Sequence, residues 1–170
     1  MNLVQAKAIT GPLTQTSKMP CPSWGISTEH CITGSKLRKQ EGTVCSKCYA
    51  CRGPITWKNS RAAQALRYEG LSHPDWVKAM VTMIGAHCTT HFRWFDSGDL
   101  QSVDHLLKII KIAKALTEVA FWLPTQEINM INCLQQDKVP ENLTIRYTIP
   151  YINKMIQHPL KWLTASVETR

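Results

Sequence analysis

The apolar and polar positions of the chain change their pattern near residue 58. Prolines and glycines interrupt residues 1–58 so often that no regular apolar period survives, which predicts an irregular segment. The spacing then becomes helical and predicts a helix over residues 59–69. A second helix is predicted over residues 72–84, beginning at a Ser72 cap and ending at Gly85.

Strands and helices alternate in the second half of the chain. Runs of β-branched and aromatic residues predict four strands, at residues 91–95, 119–123, 143–149 and 162–167. A helix capped by Ser102 follows the first strand, and a shorter helix at about 127–135 follows the second. This alternation predicts an α/β fold of parallel β/α units with right-handed crossovers. Four strands are too few for a closed eight-stranded barrel, so we expect a partial barrel or a small open sheet.

Length and composition fit one domain over residues 1–170. Hydrophobic residues make up 44% of the chain and charged residues 19%, which is typical of globular proteins. No apolar stretch approaches the roughly 20 residues of a membrane span, and the first residues lack the order of a secretory signal. We therefore expect a cytoplasmic protein without a membrane partner.

The seven cysteines are unevenly distributed. Cys88 and Cys133 stand alone in apolar surroundings, where small buried hydrophobes are expected. The other five fall within residues 18–58, an irregular segment that we predict to bind a metal, followed by the β/α portion at 59–170. In a reducing cytoplasm, cysteines bind metal or do chemistry more often than they form disulfides. Metal binding would also order a segment that lacks regular structure.

The densest cysteine pattern consists of two overlapping C-x-x-C units in Cys45-Ser46-Lys47-Cys48-Tyr49-Ala50-Cys51. Three thiols at this spacing crowd one tetrahedral zinc ion but reach different corners of a cubane, as in bacterial ferredoxins. We therefore predict an iron–sulfur cluster of the 4Fe–4S type, with a ligand set of Cys31, Cys45, Cys48 and Cys51. Cys21 is the substitute ligand.

Two alternatives to a cluster remain open. Zinc would use two cysteine pairs, or three cysteines and His30, although Cys21 and Cys31 lie farther apart in sequence than the usual zinc pair. A segment without metal would leave several thiols near the surface, where they are prone to oxidation.

The net charge of +8 is concentrated around the cysteines. Residues 1–70 contain ten Lys and Arg against three Asp and Glu, whereas residues 71–170 contain ten against nine. A basic surface attracts nucleic acid, although bound thiolates would offset part of this charge. The alternative function is therefore a zinc-stabilised module that binds nucleic acid or another partner.

Polar residues follow the first predicted strand, at the position where β/α proteins place their sites. Asp96 and Asp99 are candidate catalytic residues because carboxylates there can act as acid and base. Ser97, Gly98 and Thr125 are candidate cofactor-binding residues at the ends of two strands that should be neighbours.

Structural roles are the simpler interpretation for several other polar side chains. Asp99 can instead shape the turn, and Arg93 is expected to pair with an aspartate. The three histidines of this region are expected at the surface or in turns: His87, His91 and His105.

Five stretches together resemble a bacteriophage family named after gene product 88. They are Lys18-Met19-Pro20, Cys31-Ile32-Thr33-Gly34-Ser35-Lys36-Leu37, Gly42-Thr43-Val44-Cys45-Ser46-Lys47-Cys48-Tyr49-Ala50, Phe92-Arg93-Trp94-Phe95-Asp96-Ser97-Gly98-Asp99-Leu100-Gln101-Ser102 and Trp122-Leu123-Pro124-Thr125. The resemblance covers most of residues 18–130. It implies a phage or prophage origin and a location in the host cytoplasm, and it matches the positions of Cys31, Cys45 and Cys48.

A looser resemblance concerns radical S-adenosylmethionine enzymes. These also combine three cluster thiolates with parallel β/α units and leave one iron open for the cofactor, but their usual C-x3-C-x2-C spacing is absent here. The sequence thus predicts a phage-type iron–sulfur protein with a redox or cluster-dependent catalytic role. It does not identify the redox partner or the substrate. Four cysteine ligands would favour a redox or structural role, and three would favour catalysis.

Overall fold

A five-stranded β-sheet organises the chain, and the computed structural model describes residues 1–16, 19–88, 90–154 and 162–168. The strands are β1 Ser23–Trp24, β2 His91–Trp94, β3 Ala120–Thr125, β4 Leu143–Thr148 and β5 Leu163–Ala165. The helices are α1 Leu3–Thr10, α2 Ile32–Leu37, α3 Lys58–Gly70, α4 Trp76–His87, α5 Val103–Ala115 and α6 Ile128–Asn132. Lys18 and Arg170, the ends of two predicted segments, lie outside the described residues.

The strands pair in parallel, and their order across the sheet follows the sequence from β1 to β5. The sheet is open, so the predicted α/β class with parallel β/α units is confirmed. Sequential parallel strands joined by right-handed crossovers place their helices on one face of the sheet. Accordingly, α1 contacts α4, α4 contacts α5, and α5 contacts α6 in one layer.

The N-terminal part is more regular than its proline and glycine content predicts. Helices α1 and α2 and strand β1 all lie within residues 1–58, so the prediction of an irregular segment was wrong for them. Asn2 and Gln5 form a capping box that starts α1, with each side chain bonding to the backbone N–H of the other. Strand β1 has only two residues, too few for an alternating pattern to reveal it.

Several predicted ends shift by a few residues. Helix α4 begins after Asp75 rather than at Ser72, and it continues through Gly85 to His87. The Ser102 cap of α5 is confirmed, because its hydroxyl accepts a hydrogen bond of 3.0 Å from the His105 N–H.

The face of the sheet that meets the helices is aromatic and deeply buried. Trp24 of β1 and Trp94 of β2 pack edge to face, with ring centroids 5.9 Å apart. Trp76 of α4 approaches Trp24 at 5.5 Å, and all three indoles are fully buried. This cluster fixes the position of β1 and therefore of the chain that leaves it at the carboxyl end of the sheet.

His105 also belongs to this core, which contradicts the prediction of a surface or turn histidine. Its ring lies 5.5 Å from Trp76 and 5.7 Å from Phe95, and the residue is 3% exposed. The prediction failed because the first turn of α5 faces the aromatic core rather than solvent. His87 and His91 are exposed, as predicted.

The opposite face of the sheet is less covered. Arg93, Trp122 and Thr144 are neighbours across β2, β3 and β4 on this face. The Arg93 guanidinium lies 4.7 Å from the centroid of the Trp122 ring, an interaction that attracts the cation to the ring face. Arg93 was predicted to pair with an aspartate, but it forms no ion pair in the part of the chain that the structure describes.

Candidate metal centre and adjoining cleft

The cysteine-rich segment lies over the carboxyl ends of the strands and is tied to several of them. Glu127 follows β3 in the chain, and its two carboxylate oxygens accept hydrogen bonds from the Thr33 backbone N–H at 2.8 Å and the Thr33 hydroxyl at 2.7 Å. Pro150 follows β4, and its carbonyl oxygen accepts the Val44 N–H at 2.8 Å. Asp96 follows β2, and its carbonyl oxygen accepts the Tyr49 hydroxyl. The edge of the sheet therefore positions this segment where parallel β/α proteins place functional groups.

Cys31, Cys45 and Cys48 come together in this segment, although Cys31 is distant from the other two in sequence. Burial raises the pKa of the Cys31 thiol to about 12, and the Asp99 carboxylate adds to the effect. Burial likewise raises the pKa of Cys45 to about 11, with the neighbouring Cys48 thiol acting in the same direction. Crowded, half-buried thiols resist losing their protons unless a cation compensates for the charge.

Cys51 borders this group through Cys48. Burial is the main reason that the pKa of the Cys48 thiol is raised; the neighbouring Cys51 thiol raises it further, and the Ala50 N–H lowers it. The Cys51 sulfur lies 3.7 Å from the Thr28 hydroxyl. The structure thus brings together the four cysteines of the predicted ligand set.

Three features of the surroundings fit a group bound by several thiolates. A Cβ on Gly34 would lie 3.0 Å from Cys31 Cβ and 3.5–3.6 Å from the sulfurs of Cys45 and Cys31, so glycine lets the backbone of α2 approach both cysteines closely. The Arg38 guanidinium lowers the pKa of Cys31, Cys45 and Cys48, although burial outweighs it. The buried Nε of Arg38 has no partner in the described chain.

The described thiols do not form a site for a single metal ion. Tetrahedral zinc with Zn–S bonds of about 2.3 Å draws its sulfurs to within roughly 4 Å of one another. Among the residues that the structure describes, no three Cys, His, Asp or Glu side chains lie close enough to hold one ion. His30, the alternative zinc ligand, instead stacks on Tyr68 with ring centroids 3.6 Å apart.

Cys21, Cys88 and Cys133 have other surroundings. Cys21 precedes β1, where Arg93 lowers its pKa less than burial raises it, and it interacts with the buried Cys88 thiol. Cys21 is therefore placed near the amino ends of β1 and β2, away from the predicted ligand set. Cys88 is buried as predicted, but Cys133 is exposed, so the buried interpretation was wrong for it. The short helix α6 leaves this position at the surface.

Asp99 forms a buried link between the ends of β2 and β3. Its Oδ1 accepts the Thr125 hydroxyl at 2.6 Å and the Leu100 N–H at 2.8 Å, and its Oδ2 accepts the Gln126 N–H at 2.8 Å. Burial raises the pKa of Asp99 to about 7, against the effect of these hydrogen bonds. Its charge also acts on Cys31 and Cys45. Asp99 and Thr125 are thus adjacent, and both border the cysteines.

Ser97 and Gly98 join the end of β2 to the end of β1. The Ser97 hydroxyl donates to Ile26 O at 2.8 Å, and Ser97 O accepts the Ile26 N–H at 3.0 Å. Gly98 has a φ of +76°, and a Cβ there would lie 2.4 Å from Ile26 Cγ1. These contacts give both residues a structural role at the point where a cofactor contact was predicted.

Asp96 faces a cleft that adjoins the cysteine segment. The cleft has a volume of about 880 Å³ and is lined by Tyr49, Arg52, Arg93 and Asp96, with apolar walls that include Leu13. Asp99 does not line it. The two candidate catalytic aspartates therefore lie in different places: Asp96 lines the cleft, whereas Asp99 is bound to Thr125, Leu100 and Gln126 beside the thiols.

A family model described as gene product 88 matches residues 2–167. The chain belongs to the gene product 88 family. The phage family indicated by the sequence motifs is thereby confirmed, and the match extends well beyond the stretches that carried the resemblance. No curated protein and no solved structure matches the chain significantly. The looser resemblance to radical S-adenosylmethionine enzymes has no support from these comparisons.

Two residues of this gene product 88 protein were not recognised as functional candidates from sequence. Tyr49 belongs to the cysteine segment and also lines the cleft, where its hydroxyl donates to Asp96 O. Arg38 faces three thiols from the end of α2. For Tyr49, the only signal in the sequence was its position between Cys48 and Cys51.

None of the described helices is long and apolar enough to cross a membrane.

Proposed function

We propose that this gene product 88 protein binds an iron–sulfur cluster of the 4Fe–4S type, with Cys31, Cys45, Cys48 and Cys51 as ligands. The convergence of these four thiols over the carboxyl ends of the strands is the observation that carries the proposal. They come from two separate parts of the sequence, and cytoplasmic thiols that converge in this way usually serve a metal or a reaction.

The overlapping C-x-x-C units favour a cluster over a single zinc ion. A cubane binds each thiol at a different iron and therefore tolerates sulfurs that are farther apart than in a tetrahedral zinc site. The close approach of Gly34 to Cys31 and Cys45 and the positive charge of Arg38 also suit a thiolate-bound group.

A redox or cluster-dependent catalytic role follows from this placement. A bound cluster would supply one-electron transfer at the edge of the sheet. Arg38 would offset the negative charge of the thiolates, and Asp99 would hold the ends of β2 and β3 in register beside them. Asp96 is the candidate acid or base for a host or phage molecule in the cleft, because it is the carboxylate that lines it.

Single cysteine substitutions test the ligand set. We expect Cys31→Ala, Cys45→Ala, Cys48→Ala and Cys51→Ala, purified without oxygen, to lose most of their iron and sulfide. Cys21→Ala and Cys133→Ala are matched controls, since these cysteines lie outside the group, and they should retain both elements. Iron, sulfide and circular dichroism should be measured on the same samples, so that loss of cluster is separated from loss of fold.

The pattern of retention then decides between roles. If Cys51→Ala alone keeps the cluster, the ligand set is reduced to three thiols and an open iron favours catalysis. If Cys21→Ala loses the cluster and Cys51→Ala does not, the proposed set is wrong. If the wild-type protein binds one zinc ion and no sulfide, the cluster proposal fails, and binding of DNA or RNA at low salt becomes the measurement of interest.

A further inference from the structure

A buried carboxylate without a partner points to a ligand in the cleft. Asp96 is 7% exposed and lines the cleft, and its Oδ1, which packs against Gly25, has no hydrogen-bond partner in the described chain. Burial lowers the pKa of the Arg67 guanidinium and the Asp96 carboxylate raises it, but this carboxylate forms no ion pair with any lysine or arginine that the structure describes. A buried charge without a partner is costly, so this aspartate is suited to a positively charged or hydrogen-bond-donating group that comes from outside the chain.

Guanidinium groups lie on the same cleft. The Arg93 Nε is buried and has no partner among the described residues, while its Nη1 donates to Met19 Sδ at 3.3 Å and its positive charge opposes the rise that burial causes in the pKa of Tyr49. Arg52 lines the cleft as well. Arg67 is not available, because it donates to Pro12 O, Gly25 O and the Thr14 hydroxyl. Two guanidinium groups therefore remain for an anionic ligand group beside Asp96.

The geometry keeps the two charges close together. The Tyr49 hydroxyl donates to the main-chain oxygen of Asp96, and it lies close enough to Arg93 for the guanidinium to lower its pKa against the effect of burial, so Tyr49 lies near both charged residues. The surrounding wall is largely apolar and includes Leu13, Pro54 and Ile55. A phosphate dianion would meet repulsion from the Asp96 carboxylate, whereas a ligand with both charges would satisfy both sides.

We propose that the cleft binds a small zwitterion with an apolar side chain, namely an amino acid or a short peptide. Its ammonium group would bind the Asp96 carboxylate, its carboxylate would bind Arg93 and Arg52, and its side chain would lie against the apolar wall. Any reaction of this molecule rests on the proposed cluster function, since the cluster would supply the chemistry next to the cleft. Binding itself uses residues that are separate from the four cysteines.

Calorimetric titration of the purified full chain tests this proposal. The probes are L-leucine, dileucine, isocaproate (which lacks the ammonium group), isoamylamine (which lacks the carboxylate) and adenosine monophosphate. We expect saturable binding of L-leucine or dileucine that is tighter than that of the other three. Asp96→Asn should weaken binding of the zwitterion by about tenfold or more and leave isocaproate unchanged. Arg93→Gln should weaken both.

Matched controls are available on the surface. Asp104→Asn and Arg146→Gln remove the same charges at positions that do not line the cleft, and they should not change affinity. Arg93→Lys keeps the positive charge but removes the planar guanidinium that stacks on Trp122. Its affinity therefore shows whether binding needs the charge alone. The proposal is overturned if no zwitterion binds, if adenosine monophosphate binds more tightly, or if Asp96→Asn weakens isocaproate equally.

Iron analysis of the same samples keeps this proposal distinct from the proposed function. Full iron and sulfide content without zwitterion binding would overturn the cleft assignment alone. Binding of L-leucine or dileucine to protein that holds no cluster under anaerobic conditions would overturn the cluster alone.

Discussion

His105 shows how strongly one residue can couple this core to pH. Its ring is enclosed by Trp24, Trp76 and Phe95, and neither ring nitrogen has a hydrogen-bond partner in the described chain. Burial lowers the pKa of His105 from 6.5 to about 3. A neutral imidazole is therefore part of the folded state, and protonation requires an apolar site to accept a charge.

Acid should destabilise the protein through His105. Because its folded pKa lies below its unfolded pKa, the unfolded state binds the extra proton between about pH 6.5 and pH 3. As the pH is lowered through that range, this group alone should reduce the free energy of unfolding by up to about 1.4 kcal/mol per pH unit. The variant His105→Leu should lack this contribution, as measured by urea unfolding at several pH values.

The difference between the pH profiles of the wild type and His105→Leu isolates the contribution of His105 to stability. Asp99 acts in the opposite direction, because its raised pKa makes the folded state bind the extra proton between about pH 3.8 and pH 7. This effect is present in both proteins and cancels in their difference. Parallel pH profiles for the wild type and His105→Leu would contradict the account.

At the residue scale, the cysteine pattern predicted which thiols lie near one another better than it predicted their surroundings. The C-x-x-C units were recognisable because their spacing is local in sequence. The isolation of Asp96 from its neighbours was not predictable, since it depends on contacts between β1, β2 and the cysteine segment. The same holds for His105, whose helix position gave no sign of the tryptophans that enclose it.

Gly98 and Gly42 allow the contact between the chain after β2 and the chain after β1 to be tested at the element scale. Both have positive φ, +76° and +77°, but a Cβ on Gly98 would clash with Ile26, whereas a Cβ on Gly42 would have no neighbour within 4 Å. Gly42→Ala should therefore cost about 1 kcal/mol for its backbone conformation. Gly98→Ala should cost roughly 2–5 kcal/mol, because overpacking is added. Chemical unfolding measures both, and equal losses would show that the contact with Ile26 is unimportant.

Glu127 ties the cysteine segment to the end of β3. It is 5% exposed and accepts two hydrogen bonds from Thr33. Glu127→Gln weakens these charge-assisted bonds, so we expect the free energy of unfolding to fall by ~1–3 kcal/mol. Iron content should fall as well, because Cys31 lies two residues before Thr33. The exposed Glu118→Gln serves as a control, and unchanged iron in both variants would argue against this link.

A helix or strand could be predicted where the periodic pattern of apolar residues was long, as in α5 with its Ser102 cap. Strand β1 and helix α2 were missed because both are short and their partners come from distant parts of the chain. Strand β1 takes its place from the packing of Trp24 and its pairing with β2. Such tertiary contacts override local signals in a segment rich in proline and glycine.

At the scale of the whole molecule, the fold and the candidate site share one cause. Parallel strands in sequential order direct their carboxyl ends to a single edge, and the long connection between β1 and β2 crosses that edge with its cysteines. The alternation of strands and helices predicted the parallel sheet. It did not predict where the cysteine segment would lie, because hydrogen bonds to Glu127, Pro150 and Asp96 determine this.

Elemental analysis of the wild-type protein tests the central claim most directly. The protein should be purified without oxygen, and iron, acid-labile sulfide and zinc should be measured per chain together with the visible absorption spectrum. The account predicts about four irons and four sulfides per chain, with the broad absorption of thiolate-bound iron. About one zinc ion per chain, with no sulfide, would contradict it.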